Sequence, residues 1–285
     1  MKTIRLLYPD HLGGGLDTYY FGANLMAHIL PQNPDQPLIK VDIAEPSGKQ
    51  HEVSDGILAK NEVFAGIQSA MRILIREQPE KVITIGGNCL VSQASFDYLH
   101  GKYQNVGVIW IDAHPDVSIP KNGYPNAHAM VLGALLGQAE NPLAELRQNP
   151  PFQADQILYV GLQGLHGYQA QYLDGIGVNY QIQTKNFIGN DEIKAFMSRF
   201  DHILVHLDID VLDAKRFHST YFANPELKGD GSGAGRMTMT ELADILRLIS
   251  EQSDIVGFTV AEYLPFDEYE LHNALMGVDI FRLQP

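Results

Sequence analysis

Short apolar runs rich in valine and isoleucine alternate along the chain with longer segments in which apolar residues recur at three- and four-residue spacing. Runs of the first kind are typical of buried strands, and segments of the second kind are typical of helices that bury one face. The pattern predicts strands at residues 3–8, 38–43, 81–85, 106–111, 156–160, 203–209 and 255–260. It predicts helices at residues 57–76, 91–100, 129–140, 190–198, 240–250 and 270–281.

This alternation predicts an α/β fold of three layers (αβα), with a mostly parallel central sheet and helices on both of its faces. No internal repeat or low-complexity linker divides the chain, so we expect one domain over residues 1–285. Residues 115–125 and 218–235 are expected to form long functional loops. Ligands of such sheets bind at the carboxyl ends of the strands, which makes the residues after each strand the first candidates for a functional site.

Acidic residues and histidines follow two of the predicted strands. The strand at residues 106–111 leads into Asp112, His114 and Asp116. Side chains alternate between the two faces of extended backbone, so these three can point to the same side. The strand end therefore offers two carboxylates and one imidazole to a common ligand.

The strand at residues 203–209 delivers Asp208 and Asp210 in the same way, with His206 one step earlier on the same face and Asp213 further on. Carboxylates gathered at neighbouring strand ends repel one another unless protons or cations neutralise them, and oxygen with imidazole ligands suits Mn²⁺, Fe²⁺ or Zn²⁺. A metal site explains both clusters. The alternative is that these aspartates only cap turns. Turn capping could explain one such cluster, but it explains two clusters on one sheet less well.

The amino-acid composition limits the classes of protein to which the chain can belong. The chain has 34 acidic and 20 basic residues, a net charge of −14, and is 45% hydrophobic, which predicts a folded protein and argues against a general nucleic-acid binder. The single cysteine, Cys89, cannot form an internal disulfide, and the first residues lack the apolar stretch of a signal peptide, so we expect a cytoplasmic protein. No apolar run reaches the roughly 18 residues of a membrane span.

Short motifs follow one another along most of the chain, and the two aspartate motifs are the most specific of them. They are Gly86-Gly87-Asn88-Cys89, Asp112-Ala113-His114-Pro115-Asp116, Asn126-Ala127-His128, Asp208-Ile209-Asp210-Val211-Leu212-Asp213 and Glu262-Tyr263-Leu264-Pro265. In these motifs the chain resembles the ureohydrolase family, which contains the arginases, agmatinases, guanidinobutyrases and formimidoylglutamases. The resemblance implies an arginase-like fold and a hydrolase that cleaves a carbon–nitrogen bond in a linear guanidine or amidine, releasing urea or a related amide.

The resemblance also implies a metal centre of two Mn²⁺ ions that hold a bridging hydroxide, the nucleophile of the family's reaction. Carried over to this chain, Asp112 and Asp208 bridge the two ions. Asp116 completes one ion, while His114 and Asp210 complete the other. No other cofactor is implied.

The resemblance assigns catalytic roles outside the metal ligands as well. Glu262 is expected to hold the cationic head of the substrate, and His128 to carry a proton to the leaving amine. Asp116 is also counted as catalytic, because it is expected to bind one of the two metal ions that take part in the reaction. The alternatives are a loop-stabilising role for His128 and a solvent-facing strand end for Glu262. Asp213 is expected to brace its loop instead of binding metal.

Cys89 stands where the family carries a histidine that ligates the same ion as Asp116. A thiolate is a soft ligand and favours Zn²⁺ over Mn²⁺, so Zn²⁺ or a single ion are alternatives to two Mn²⁺. Three outcomes follow: Cys89 is a working ligand, the first site is weakened beside an intact second one, or Cys89 is a buried inert thiol. Because the other ligands are all present, we favour an active metal enzyme.

Two further functions stay open. One is a single-metal amide hydrolase of the deacetylase type, with Asp112, His114 and Asp208 as ligands, and the other is a metal-free, non-catalytic homologue. The resemblance also makes arginine itself a doubtful substrate: in arginases the stretch that corresponds to residues 161–169 supplies carboxylates to the amino-acid end of arginine, and here that stretch has none. The partner we expect is a small guanidino or amidino compound, with neither nucleic acid nor membrane. The resemblance suggests a homo-oligomer, a trimer or a hexamer.

Overall fold

The computed structural model describes residues 1–224, 226–227 and 233–281. Seven parallel strands form the main sheet in the order β2-β1-β5-β9-β8-β6-β7, and a two-stranded antiparallel hairpin, β3-β4, lies apart from it. The strands of the main sheet are β1 (Thr3–Tyr8), β2 (Leu38–Lys40), β5 (Lys81–Gly86), β6 (Val106–Ile111), β7 (Ile157–Val160), β8 (His202–Asp208) and β9 (Ile255–Ala261). The hairpin consists of β3 (Val53–Ser54) and β4 (Ile57–Leu58).

Helices cover both faces of the main sheet. They are α1 (Thr18–Ile29), α2 (Lys60–Glu77), α3 (Ser92–Lys102), α4 (Val131–Leu135), α5 (Gly167–Ile176), α6 (Asn190–Met197), α7 (Met239–Gln252) and α8 (Phe266–Met276). Residues of α2, α3, α4 and α5 pack into one core, and residues of α1, α6 and α7 pack into a second core across the sheet. The fold is therefore the three-layer αβα architecture that the sequence predicts.

Strand β6 shows how one sheet contributes side chains to two hydrophobic cores. Val108 and Trp110 belong to the core on the side of α2 and α3, whereas Ile109 and Ile111 belong to the core on the side of α6 and α7. Successive side chains point to opposite faces, so a strand buried on both faces is apolar along its whole length. This continuous apolar character is the signal by which the sequence predicts the seven strands, and the structure contains all seven.

The segment predicted as a helix at residues 57–76 begins differently. Residues 57–58 form β4, which is joined to β3 through Asp55 and Gly56, both at positive φ (49° and 75°). An Asp-Gly pair with two positive φ angles makes the tight turn that suits a two-residue hairpin loop. The helix α2 starts only at Lys60, after Ala59 in the left-handed region.

Other differences lie at helices. The helix predicted at residues 129–140 is a 3₁₀ turn followed by the short α4, and Gly137 at φ 74° turns the chain soon after α4 ends. The predicted helix at residues 270–281 is α8, which begins at Phe266 and ends at Met276. Helices α1 and α5 were not predicted, because glycine-rich segments precede or interrupt them. The predicted loop at residues 218–235 lies partly outside the described residues.

None of the helices in the described part of the chain combines the length and the apolar character needed to cross a membrane.

Candidate metal centre

Four strands that are neighbours in the sheet, in the order β5, β9, β8 and β6, all point their carboxyl ends to the same edge. Cys89 follows β5, and Glu262 follows β9. Strand β8 ends at Asp208, with Asp210 in the next turn, and β6 leads into the segment from Asp112 to Asp116. Residues far apart in the chain therefore meet because their strands are hydrogen-bonded neighbours.

A cavity of about 430 Å³ opens at this edge of the sheet. Its described lining includes the residues predicted from the sequence: Cys89, His114, Asp116, His128, Asp208, Asp210 and Glu262. Asp112 is fully buried behind this lining. The structure thus brings together every site residue that the sequence predicts.

Asp112 is fixed by donors on two sides. Its Oδ1 accepts a hydrogen bond from the backbone N–H of His114 at 2.6 Å, and its Oδ2 accepts one from Trp110 Nε1 at 3.0 Å. Burial, together with repulsion from Asp210, raises the pKa of Asp112 to about 6. A carboxylate held this firmly is a preorganised ligand for a cation.

His114 lies between two carboxylates. Its Nδ1 is 3.0 Å from Asp210 Oδ2 and 3.6 Å from Asp112 Oδ1. Burial by itself lowers the pKa of His114, but the two carboxylates outweigh burial and hold that pKa well above its usual value. In the absence of a metal ion, a proton on this imidazole offsets part of the negative charge.

Asp208 links the ends of β8 and β5. Its Oδ1 accepts a hydrogen bond from the backbone N–H of Asp210 at 2.7 Å, and its Oδ2 accepts one from the Cys89 thiol at 2.8 Å. Burial and the neighbouring Asp210 raise the pKa of Asp208 well above its usual value. Burial and the nearby Asp208 also raise the pKa of Cys89, so the thiol keeps its proton in the metal-free site.

Asp116 and Glu262 both adopt backbone conformations that are unusual for residues with a side chain. Their φ angles are 50° and 62°, in the left-handed region. The strain is held by backbone hydrogen bonds: Gly133 N–H donates to Asp116 O, and Glu262 N–H donates to Gly87 O, both at 2.9 Å. Backbone strain of this kind is concentrated at functional sites, where it aims a side chain that relaxed backbone would turn away.

The Asp116 side chain is buried and carries an oxygen, Oδ2, for which the described residues supply no hydrogen-bond donor. Burial and repulsion from Asp112 raise the pKa of Asp116 well above its usual value. His114 Nε2 likewise lacks a hydrogen-bond partner among the described residues. Buried polar atoms are almost always paired, so these two atoms indicate a ligand in the cavity.

Glu262 is buried, and its Oε1 lies 2.7 Å from His128 Nδ1. On the other side of the imidazole, Tyr124 Oη lies 3.1 Å from His128 Nε2, and Asn126 Nδ2 donates to the same Tyr124 oxygen at 3.1 Å. A hydrogen between His128 Nδ1 and Glu262 Oε1, with the Tyr124 hydroxyl donating to Nε2, satisfies this whole chain. Glu262 therefore faces the cavity and its histidine, not solvent.

The ligand atoms divide into groups that would suit two ions. One atom from each of Cys89, Asp112, Asp116 and His206 lies within 4.8 Å of the others, and the same holds for Asp112, His114 and Asp210. Asp112 belongs to both groups, as a bridging ligand would. Asp208, the other bridging ligand that the sequence predicts, forms a further group with Asp210 and Glu262. Oxygen, imidazole and sulfur donors of this kind fit a divalent transition metal.

Sequence reasoning missed the aromatic walls of the cavity, which include Tyr124, Tyr168, Tyr221 and Phe222. These residues lie on three separate loops or helix starts, where no periodic pattern marks them. Asp213 is placed as the sequence predicts, because its Oδ1 accepts a hydrogen bond from Lys215 N–H within the loop after β8.

Comparison with known proteins agrees with this geometry. The sequence model of the Arginase family matches residues 36–283. The chain belongs to the arginase family. Over 208 residues it is 26% identical to an arginase of Staphylococcus aureus, a match that covers 70% of this chain and 65% of that enzyme. The chain thus matches a little less than two thirds of that relative's length.

Solved structures of arginases share the fold. The arginase of Entamoeba histolytica, crystallised with L-ornithine, superposes with a TM-score of 0.76 at 19% identity, covering 93% of this chain and 92% of that one. The arginase of Bacillus subtilis gives a TM-score of 0.73 at 20% identity, covering 97% and 99%. Membership of the arginase family supports a hydrolase of the ureohydrolase type, and it does not favour the deacetylase-type alternative.

Proposed function

We propose that this arginase-family protein hydrolyses a carbon–nitrogen bond in a linear guanidine or amidine, releasing urea or a related amide. The observation that supports the proposal most directly is the convergence of six candidate metal-ligand side chains with the Glu262–His128 pair at one cavity. Beside the metal ligands lie the Glu262 carboxylate, which can bind a cation, and the His128 imidazole, which can carry a proton. Both are requirements of amidine hydrolysis.

Two divalent ions would be held by residues at the ends of β5, β6 and β8. We propose Cys89, Asp112, Asp116 and Asp208 for the first ion, and Asp112, His114, Asp208 and Asp210 for the second. When bound, such ions supply Lewis-acid activation of a water molecule near neutral pH. Mn²⁺ is our first choice of metal, and the Cys89 thiol makes Zn²⁺ the alternative.

Glu262 would bind the planar, cationic head of the substrate through charge-assisted hydrogen bonds. In the reaction, water oxygen adds to the central carbon, the bond from that carbon to the leaving nitrogen breaks, and the leaving amine takes up a proton. The attacking water would give up a proton to His128, whose Nδ1 lies 2.7 Å from Glu262 Oε1, and the imidazolium so formed would pass that proton to the leaving amine. The contact keeps the proton source beside the carboxylate that orients the substrate.

The cavity walls indicate what kind of substrate tail would fit. Tyr168, Tyr221 and Phe222 contribute aromatic surface, and none of the lining residues in the described part of the chain is a lysine or arginine. A carboxylate on the tail would find no cationic partner among them, and an α-ammonium group would find no carboxylate in residues 161–169. We therefore propose a guanidino or amidino compound with an uncharged tail.

A screen of guanidino and amidino compounds tests the proposal. The purified protein would be loaded with Mn²⁺ or Zn²⁺ and assayed for release of urea and ammonia. We expect turnover of a compound with an uncharged tail, abolished by Asp208→Asn but retained in Asp213→Asn, the same change on the loop that follows. No release of urea or ammonia from any compound, with either metal, would contradict the proposal.

Metal content separates the proposal from its alternatives. We expect close to two ions per chain, whereas one ion would fit a mononuclear hydrolase and none would fit a non-catalytic homologue. A trimeric or hexameric assembly and a cytoplasmic location stay predictions of the family resemblance.

A further inference from the structure

His206 is a fully buried histidine that the proposed ligand sets do not use. It lies on β8, two residues before Asp208 and on the same face. Its ring stacks on Trp110 with the centroids 3.6 Å apart and the planes 9° from parallel. Its Nδ1 lies 2.8 Å from Ser92 Oγ. The ring is therefore fixed in position and orientation.

The second ring nitrogen, Nε2, has no hydrogen-bond partner among the described residues. It lies 3.8 Å from Asp112 Oδ2, too far for a hydrogen bond. With Nδ1–H donating to Ser92 Oγ, Nε2 carries a free lone pair. A phenylalanine would fill the same space against Trp110 without burying an unpaired nitrogen, so packing alone does not account for this histidine.

His206 lies close to the ligand atoms of the first metal site. His206 Nε2, Cys89 Sγ and one carboxylate oxygen each from Asp112 and Asp116 lie within 4.8 Å of one another. Histidines that bind metal donate their other ring N–H to an oxygen in most proteins, which fixes the tautomer. Ser92 Oγ is placed to be that acceptor.

We propose that His206 Nε2 is a ligand of the first divalent ion, together with Cys89, Asp112 and Asp116. The inference rests on the proposed function, because it assigns a further residue to that metal centre. Each ion then has one imidazole ligand, His206 for the first and His114 for the second.

The donor set has a consequence for metal choice. A site with one sulfur, one imidazole nitrogen and carboxylate oxygens is softer than a site of oxygens and imidazole alone. The first ion should therefore be Zn²⁺, Fe²⁺ or Co²⁺ in preference to Mn²⁺, while the second site keeps the donors that suit Mn²⁺.

Zn²⁺ binding to the metal-free, full-length protein tests this inference. We expect two Zn²⁺ per chain in the wild type and one in His206→Phe, which keeps the ring on Trp110 but removes both nitrogens. Ser92→Ala should keep two ions and weaken the first by roughly 10-fold, as the loss of an outer hydrogen bond to a ligand does. His202→Phe, the same change near the start of β8, is the matched control and should bind as the wild type does.

X-ray absorption of the zinc-loaded wild type gives a second measurement that does not depend on the folding of a variant. We expect imidazole scattering from two histidines per two zinc ions, and its persistence in His114→Ala. Two ions bound with unchanged affinities in His206→Phe, or imidazole scattering that disappears in His114→Ala, would overturn the assignment of His206 alone. A wild type that binds no Zn²⁺ would overturn both this inference and the proposed function.

Discussion

The thiol of Cys89 donates a hydrogen bond to Asp208 Oδ2 across 2.8 Å, joining the end of β5 to the end of β8 two strands away. In the metal-free protein, burial and repulsion from Asp208 raise the pKa of Cys89 and keep its proton in place, and the hydrogen bond turns the sulfur toward Asp208. A metal ion that displaces the proton would find the sulfur already in place. Substitution of Cys89 is therefore the most direct way to change which metal the site prefers.

We expect Cys89→Ser to lower the preference for Zn²⁺ over Mn²⁺ by roughly 10-fold or more, because a neutral hydroxyl replaces a soft thiolate. Loading the protein with equal amounts of both metals and measuring the bound ratio by mass spectrometry checks this. Ser198→Ala, at an exposed position just after α6, keeps the thiol and should leave the ratio close to that of the wild type. An unchanged ratio in Cys89→Ser would show that the thiol does not bind metal.

Glu262→Gln removes the negative charge that we propose binds the substrate head. Hydrogen bonds to charged groups contribute about 1.5–3 kcal/mol, so KM should rise by roughly 10-fold to 100-fold. Steady-state kinetics on the best substrate measures the change. Glu45→Gln, on the exposed surface, is the matched control. If kcat fell while KM stayed constant, Glu262 would have a role other than binding the cationic head.

His128→Asn keeps a hydrogen-bond donor near the position of Nδ1 but cannot carry the proton. We expect kcat to fall by roughly 10²-fold to 10⁴-fold with little change in KM, the range for loss of a general acid. Tyr124→Phe removes only a neighbouring hydroxyl and should have a much smaller effect. Equal losses in the two variants would indicate that the histidine acts by holding the loop in place.

Asp116→Asn should abolish binding of the first ion and yet stabilise the metal-free protein. Burial and repulsion raise the pKa of Asp116 well above its usual value, so the ionised form destabilises the fold. Asparagine tolerates the left-handed backbone at φ 50°. We expect a gain of about 1 kcal/mol or more in urea unfolding near neutral pH, since one pKa unit corresponds to about 1.4 kcal/mol. Asp201→Asn, at an exposed position, should change stability little.

The metal-free protein should lose stability as pH rises above neutrality. The pKa values of Asp116, Asp208 and His114 are raised, so each group contributes stability below its unfolded pKa and loses that contribution as pH rises through its folded pKa. For His114, whose pKa is raised from 6.5, this loss falls above neutrality. Burial lowers the pKa of His206 to about 3, so this histidine has the opposite effect: it makes stability rise with pH. That effect is confined to pH values below about 7, where the histidine is charged in the unfolded chain. Unfolding by urea at about pH 7 and about pH 8.5 tests this. Metal-loaded protein should show a smaller loss, and a metal-free protein that gains stability over this interval would contradict the prediction.

The sequence by itself determined where the seven strands lie, because short apolar runs mark them. In β6 the run is continuous because both faces are buried, whereas β2, at the edge of the sheet, is largely exposed. The sequence also determined which residues follow β6 and β8, because neighbouring residues on one strand reach the site together. Asp112, His114 and Asp116 could be grouped without a structure for this reason, as could Asp208 and Asp210.

Only the tertiary structure decided how the strands are ordered. Strands β5 and β9 are distant in sequence but hydrogen-bonded in the sheet, and their pairing places Cys89 and Glu262 at one cavity. Pairing between distant strands depends on how whole helices pack on both faces, which no local pattern records. The tertiary structure also shows that Nε2 of His206 has no hydrogen-bond partner among the described residues. The sequence could not show this, because the partners of a buried atom come from residues that are distant in the chain.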